Sequence, residues 1–125
     1  EEEIEKVYTK EEDIKQIVDM VKDLSFDNLR KKKHYFDSIL QKDTNEEELK
    51  EYFNKFDKIK IIFYRKRKSG YNNYDLHYLK ENGTYIIYSI NLDKNPPELI
   101  NAIPVDRNFE NFKKQIIKKY WKELI

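Results

Sequence analysis

The stretch that decides the fold is Asp57-Lys58-Ile59-Lys60-Ile61-Ile62-Phe63-Tyr64-Arg65-Lys66-Arg67-Lys68-Ser69-Gly70-Tyr71-Asn72-Asn73-Tyr74-Asp75-Leu76-His77-Tyr78-Leu79-Lys80-Glu81-Asn82-Gly83-Thr84-Tyr85-Ile86-Ile87-Tyr88-Ser89-Ile90-Asn91-Leu92. Its opening alternates: Ile59, Ile61 and Phe63 fall on one side, and Lys58, Lys60, Ile62 and Tyr64 on the other. That two-residue period is the mark of a strand. Lys68-Ser69-Gly70 signals a turn. Tyr74, Leu76 and Tyr78 then alternate with Asp75, His77 and Leu79 in a second strand. Asn82-Gly83 favours a tight type I′ hairpin into a third strand over 85–90. Both sides of that third strand are rich in apolar and aromatic residues, which predicts a central strand covered on both faces.

Helical periods flank the stretch. Residues 1–8 read as an acidic lead-in. Thr9-Lys10-Glu11-Glu12 has the form of a capping box, and Ile14, Ile17, Val18, Val21 and Leu24 follow on one helical face, predicting a helix over 10–24. Ser25-Phe26-Asp27 breaks the pattern and can cap a second helix carrying Leu29, Phe36 and Leu40, with a basic first half at 30–33. Thr44-Asn45-Glu46-Glu47 is a second capping box, opening a third helix over 45–56 with Leu49, Tyr52, Phe53 and Phe56 as its stripe. Beyond the meander, Pro96-Pro97 ends the ladder. Residues 100–105 can form a fourth, edge strand. Asp106 or Asn108 caps a last helix with Phe109, Phe112, Ile116, Tyr120 and Leu124 on one side and lysines on the other. The expected architecture is α+β in a single domain over 1–125. Three N-terminal helices precede a three- to four-stranded antiparallel meander, and a C-terminal helix packs on the sheet, with the helices on one face.

Composition narrows the classes. The chain has 125 residues, 38% apolar and 39% charged, poorer in hydrophobes and richer in charge than an average domain. Ten tyrosines, seven phenylalanines and one tryptophan argue against disorder, because each aromatic ring buries a large area. A net charge of +1, from 25 bases and 24 acids, supplies no global field to attract nucleic acid or anionic membrane. The chain has no cysteine, so disulfides, thiolate metal sites and cysteine nucleophiles are excluded. No apolar run approaches the roughly 20 residues of a membrane helix. The sequence begins at Glu1 without methionine; removal of a signal or anchor would account for that.

Thr44-Asn45-Glu46-Glu47-Glu48-Leu49-Lys50-Glu51-Tyr52-Phe53 leading into Ile59-Lys60-Ile61-Ile62, after a capped amphipathic helix pair, resembles the small NTF2-like domains of Gram-positive cell-envelope proteins. The hairpin Tyr78-Leu79-Lys80-Glu81-Asn82-Gly83-Thr84-Tyr85-Ile86-Ile87 is similar to theirs as well. The resemblance covers about 10–92; the loop and helix over 93–125 lie beyond it. It implies a sheet curved around a cavity, a non-enzymatic binding or structural role, and an extracytoplasmic or cell-surface setting, with a cytoplasmic one as the alternative. It carries over no catalytic residue.

Candidate sites follow from residue types. Tyr74, Tyr78, Tyr85 and Tyr88 can line a cavity between sheet and helices, with Tyr78, Tyr88, Asp75 and His77 as its polar groups. Asp75 beside a tyrosine could imitate a carboxylate base with an oxyanion donor. His34 and His77 lack metal-ligand spacing, so no metal or other cofactor is expected. Arg65, Lys66, Arg67 and Lys68, with Tyr64, Tyr71 and Tyr74 nearby, form a basic-aromatic run. It could meet phosphates while tyrosines stack on bases. Strand alternation divides the run between two faces, and charges at a hairpin end also discourage edge-to-edge pairing. With no catalytic motif, the favoured expectation is a non-catalytic domain whose partner is another protein. A small nucleic-acid-associated protein and a small-ligand carrier or enzyme are the alternatives.

Overall fold

A computed structural model of the chain describes residues 2–67 and 72–125. The turn expected at 68–70, together with Tyr71, lies outside the described residues. The fold is α+β, with helices packed against a mixed, open sheet of six strands. The strands are β1 (Glu2–Tyr8), β2 (Arg30–Lys31), β3 (Ile59–Arg67), β4 (Asn72–Leu79), β5 (Tyr85–Asn91) and β6 (Glu98–Val105). The helices are α1 (Glu11–Val18), α2 (Lys33–Lys42), α3 (Glu46–Phe53) and α4 (Phe109–Lys119). The strand order is β1-β3-β4-β5-β6-β2, antiparallel except for the parallel contact of β2 with β6.

The meander stands where the alternation put it, and β5 is interior. The sheet is nevertheless larger than three or four strands, and two bulges explain part of the difference. In β1 the register shifts between Ile4 and Lys6, so Ile4 and Val7 reach the same face at a spacing of three. A bulge inserts one residue and breaks the two-residue period, which made an acidic strand look like a lead-in. In β3 the register shifts between Ile59 and Ile61. Ile59 therefore packs with Ile62 on one face, while Ile61 and Phe63 pack on the other, rather than all three odd positions sharing a side. β6 is a full strand of eight residues. It tolerates Pro104 because β2 covers only Glu98 and Leu99, leaving the far end of β6 at the sheet margin.

The helices cover both faces, not one. One core joins Ile14 and Ile17 of α1, Tyr35 of α2, and Leu49, Tyr52 and Phe53 of α3 to Ile62, Leu76, Tyr78, Ile86, Tyr88 and Leu99 of the sheet. The other joins Val7, Ile61, Phe63 and Tyr85 to Phe109 of α4, with Phe112, Ile116 and Tyr120 packed against them.

The helix ends differ from the capping-box reading. α1 starts after Lys10, with no side-chain cap from Thr9, and after Val18 the chain continues in tighter turns that still bury Val21. The expected second helix is split: a 3₁₀ turn at Phe26–Asn28 and the short β2 precede α2. α3 is capped by Asn45, whose Oδ1 accepts from the N–H groups of Glu47 (3.1 Å) and Glu48 (3.4 Å). Asn108 caps α4 in the same way through Asn111 N–H, at 2.9 Å.

The Asn-Gly hairpin is not of type I′. Gly83 donates to Lys80 O at 3.0 Å, and of the two turn residues Gly83 alone has positive φ, at 86°. This is the longer turn that ends in a left-handed glycine. Gly83 O then accepts Phe109 N–H at 2.8 Å, tying the start of α4 to the hairpin.

Candidate functional site

The residues singled out from the sequence divide between the two faces. Tyr78 and Tyr88 lie in the core beneath α1–α3, fully buried. The Tyr78 hydroxyl donates to Phe53 O at 2.7 Å and the Tyr88 hydroxyl to Leu49 O at 2.6 Å, both carbonyls of α3. Burial pushes both phenols far above their usual range. Their polar tips thus hold a helix in place. Tyr74, half-buried on the same face, packs its ring 5.2 Å from Tyr64.

Asp75 and His77 point to the α4 side. Asp75 is buried, its carboxylate 2.6 Å from Arg65 Nε and accepting the Ser89 hydroxyl at 2.7 Å. His77 Nδ1 lies 3.1 Å from Ile61 O and 3.0 Å from Asp75 O. Two carbonyls require a donor, so Nδ1 carries the proton. The ring packs 4.5 Å from Phe63 and 5.4 Å from Phe112. Burial pulls its pKa down to about 4, against a smaller upward pull from Asp75. His77 is therefore neutral near pH 7 and sealed from solvent. The sheet separates Asp75 and His77 from Tyr74, Tyr78 and Tyr88, so the five do not converge.

The basic run has a partner the sequence concealed. β1 lies antiparallel to it, setting Glu3 opposite Lys66 and Ile4 opposite Arg65. Opposite charges at facing positions stabilise a strand pair by roughly 0.2–1 kcal/mol. Arg65 turns to Asp75 on one face, whereas Lys66 is exposed. Arg67 ends β3 opposite Glu2, and Lys68 lies outside the described residues. The acidic lead-in and the basic run are two halves of one ladder. Among the described residues no cluster of three or more acidic or histidine side chains could hold a metal ion.

A groove that sequence reasoning missed opens between α1 and α4, with a volume of about 520 Å³. Ile14 and Val18 of α1 form one wall and Phe109 of α4 the other; Phe56, Ile59 and Leu79 line its base. Its rim carries Glu11 and Lys15 on α1, Glu110 and Lys113 on α4, and Asp57 and Lys60 between them. The volume falls within the roughly 300–1,000 Å³ of binding pockets, and the lining pairs an apolar floor and walls with a charged rim. The groove exists because β1 stops at Tyr8, opposite Ile62, while β3 runs on to Ile59. Each apolar lining residue reads from the sequence as ordinary core, so only the unequal strand lengths reveal the groove. A smaller hollow of about 180 Å³ lies beside Phe26, Lys31 and Glu46. Lys31 largely fills its role there, donating to Phe26 O at 2.5 Å with Nζ 4.4 Å from the Phe26 ring.

No model of a known protein family, no curated protein and no solved structure matches this chain. Among the described residues no helix is long and apolar enough to cross a membrane.

Proposed function

We propose that this chain is a non-catalytic domain that binds another protein, with the groove between α1 and α4 as its docking site. One observation carries the reading: an apolar hollow of about 520 Å³ is framed by three acids and three bases. A mixed-sign rim suits the ends and flanks of a polypeptide better than a polyanion, which would call for a basic surface. The groups best suited to acid–base chemistry support the same reading. His77 is sealed by Phe63 and Phe112, and Asp75 is engaged by Arg65 and Ser89. An envelope setting belongs to the proposal; the cysteine-free composition fits it, and fractionation of the native cell tests it.

The docking test is selection of random dodecapeptides displayed on phage against the whole domain, followed by titration of the enriched peptides. We expect amide shifts concentrated at 14–18, 56–60 and 109–113, and at least a tenfold loss of affinity in Val18→Asp. Val18 is half-buried and packs against the α1–α3 core, so the loss counts only if the far-UV circular dichroism and urea midpoint of the variant show it folded. Failure to enrich any peptide, or shifts centred elsewhere, overturns the proposal.

A further inference from the structure

The sheet treats its strand margins unequally. On β1, Val7 N–H donates to Glu123 O at 2.9 Å and Val7 O accepts Ile125 N–H at 3.1 Å, so the C-terminal segment lies along the outer side of that strand. The rest of β1 carries Glu3 and Glu5, charges that deter pairing. At the opposite margin, β2 covers the start of β6, the Asn101 side chain accepts Ala102 N–H at 2.9 Å, and Pro104 has no N–H to offer. Two devices thus blunt the β1 edge and three the β6 edge.

The start of β3 is handled otherwise. β1 leaves it after the Tyr8–Ile62 pair, and among the described residues no strand lies beside Ile59 and Lys60 on that side. Both residues line the groove. The bulge between Ile59 and Ile61 also bends the strand there. The walls come from opposite faces of the sheet: Ile14 belongs with the α1–α3 core, and Phe109 and Leu79 with the α4 core. A segment lying in the plane of the sheet would send successive side chains to opposite faces, one toward Ile14 and Val18 and the next toward Leu79 and Phe109.

Resting on the docking reading above, we infer that the occupant is an extended segment of a partner protein, added beside Ile59 and Lys60 in the line that β1 vacates. Its successive apolar residues enter the two walls in turn, with charged residues flanking them to meet the acids and bases of the rim. Strand addition takes affinity from main-chain hydrogen bonds and specificity from pockets for alternate side chains.

The test takes the tightest groove-binding dodecapeptide from the library and prepares it in two further forms, N-methylated at odd or at even positions. In an added strand, alternate amides face β3 and the others face solvent. One form should lose binding by about tenfold or more, from a lost hydrogen bond to β3 together with the clash of the added methyl groups against that strand, while the other stays within about twofold. Amide hydrogen exchange at 59–61 should slow on binding of the unmodified peptide. Equal loss in both forms, loss in neither, or unchanged exchange at 59–61 overturns the strand while leaving the groove a docking site. If no library peptide binds the groove, the docking reading falls and the strand with it.

Discussion

His77 holds its Nδ1 proton between two carbonyl oxygens, behind a wall of aromatic rings. Its folded pKa of about 4 lies below the ordinary value of 6.5. As pH falls below 6.5 the unfolded chain takes up the proton first, so stability is lost progressively down to about pH 4. The full difference is about 3 kcal/mol. Urea midpoints of the native chain should therefore fall more between pH 7 and pH 4.5 than those of His77→Gln. Asp75 makes a different demand. Removing its cation by Arg65→Met should cost about 3 kcal/mol, because a buried carboxylate then loses its ion pair. The double change Arg65→Met with Asp75→Leu should cost less than the sum of the singles, as read by chemical denaturation. Gly83 matters through its backbone alone: a Cβ there meets nothing within 4 Å, yet φ is 86°. Gly83→Ala should cost about 1–2 kcal/mol from the left-handed conformation. A crystal structure of that variant should show no displaced neighbour.

At the scale of elements, the legible parts were those whose period ran uninterrupted. The strand over 85–90 is central because both of its sides are apolar, and α3 and α4 follow clean helical stripes. What the sequence hid has a common cause. A bulge shifts the side-chain period by one, which concealed β1 and misassigned Ile59. The two-residue β2 is too short for any period to show. The pairing of Glu3 with Lys66 joins residues far apart in sequence that local patterns cannot relate. Among the candidate site residues, alternation correctly set Asp75 and His77 opposite Leu76 and Tyr78, but the groove depends on where two strands end. The tyrosines that looked like cavity lining are helix anchors. Tyr78→Phe and Tyr88→Phe should each cost about 1 kcal/mol, because each removes a buried hydrogen bond that ties the sheet to α3. Amide exchange in α3 should accelerate with the loss.

For the whole molecule, a single sheet serves two cores, so neither helical layer has a floor of its own. Loss of one core exposes the sheet that the other rests on, and we expect both to unfold together. The single tryptophan, Trp121, follows α4 and is largely exposed, so its fluorescence reports on that side. Its thermal transition should coincide with that of far-UV circular dichroism; two separated transitions would show the layers to be independent. The order of the strands also bears on biosynthesis. β1 leaves the ribosome well before β3, its sheet partner, and must wait unpaired while α1–α3 are made. Exposed strands in nascent chains are prone to wrong pairing. The glutamates that disguise β1 as a lead-in give it a reason to be acidic. Glu3 and Glu5 are charges of the kind that deter wrong pairing, and Glu3 faces Lys66 of the basic run once β3 has joined the sheet.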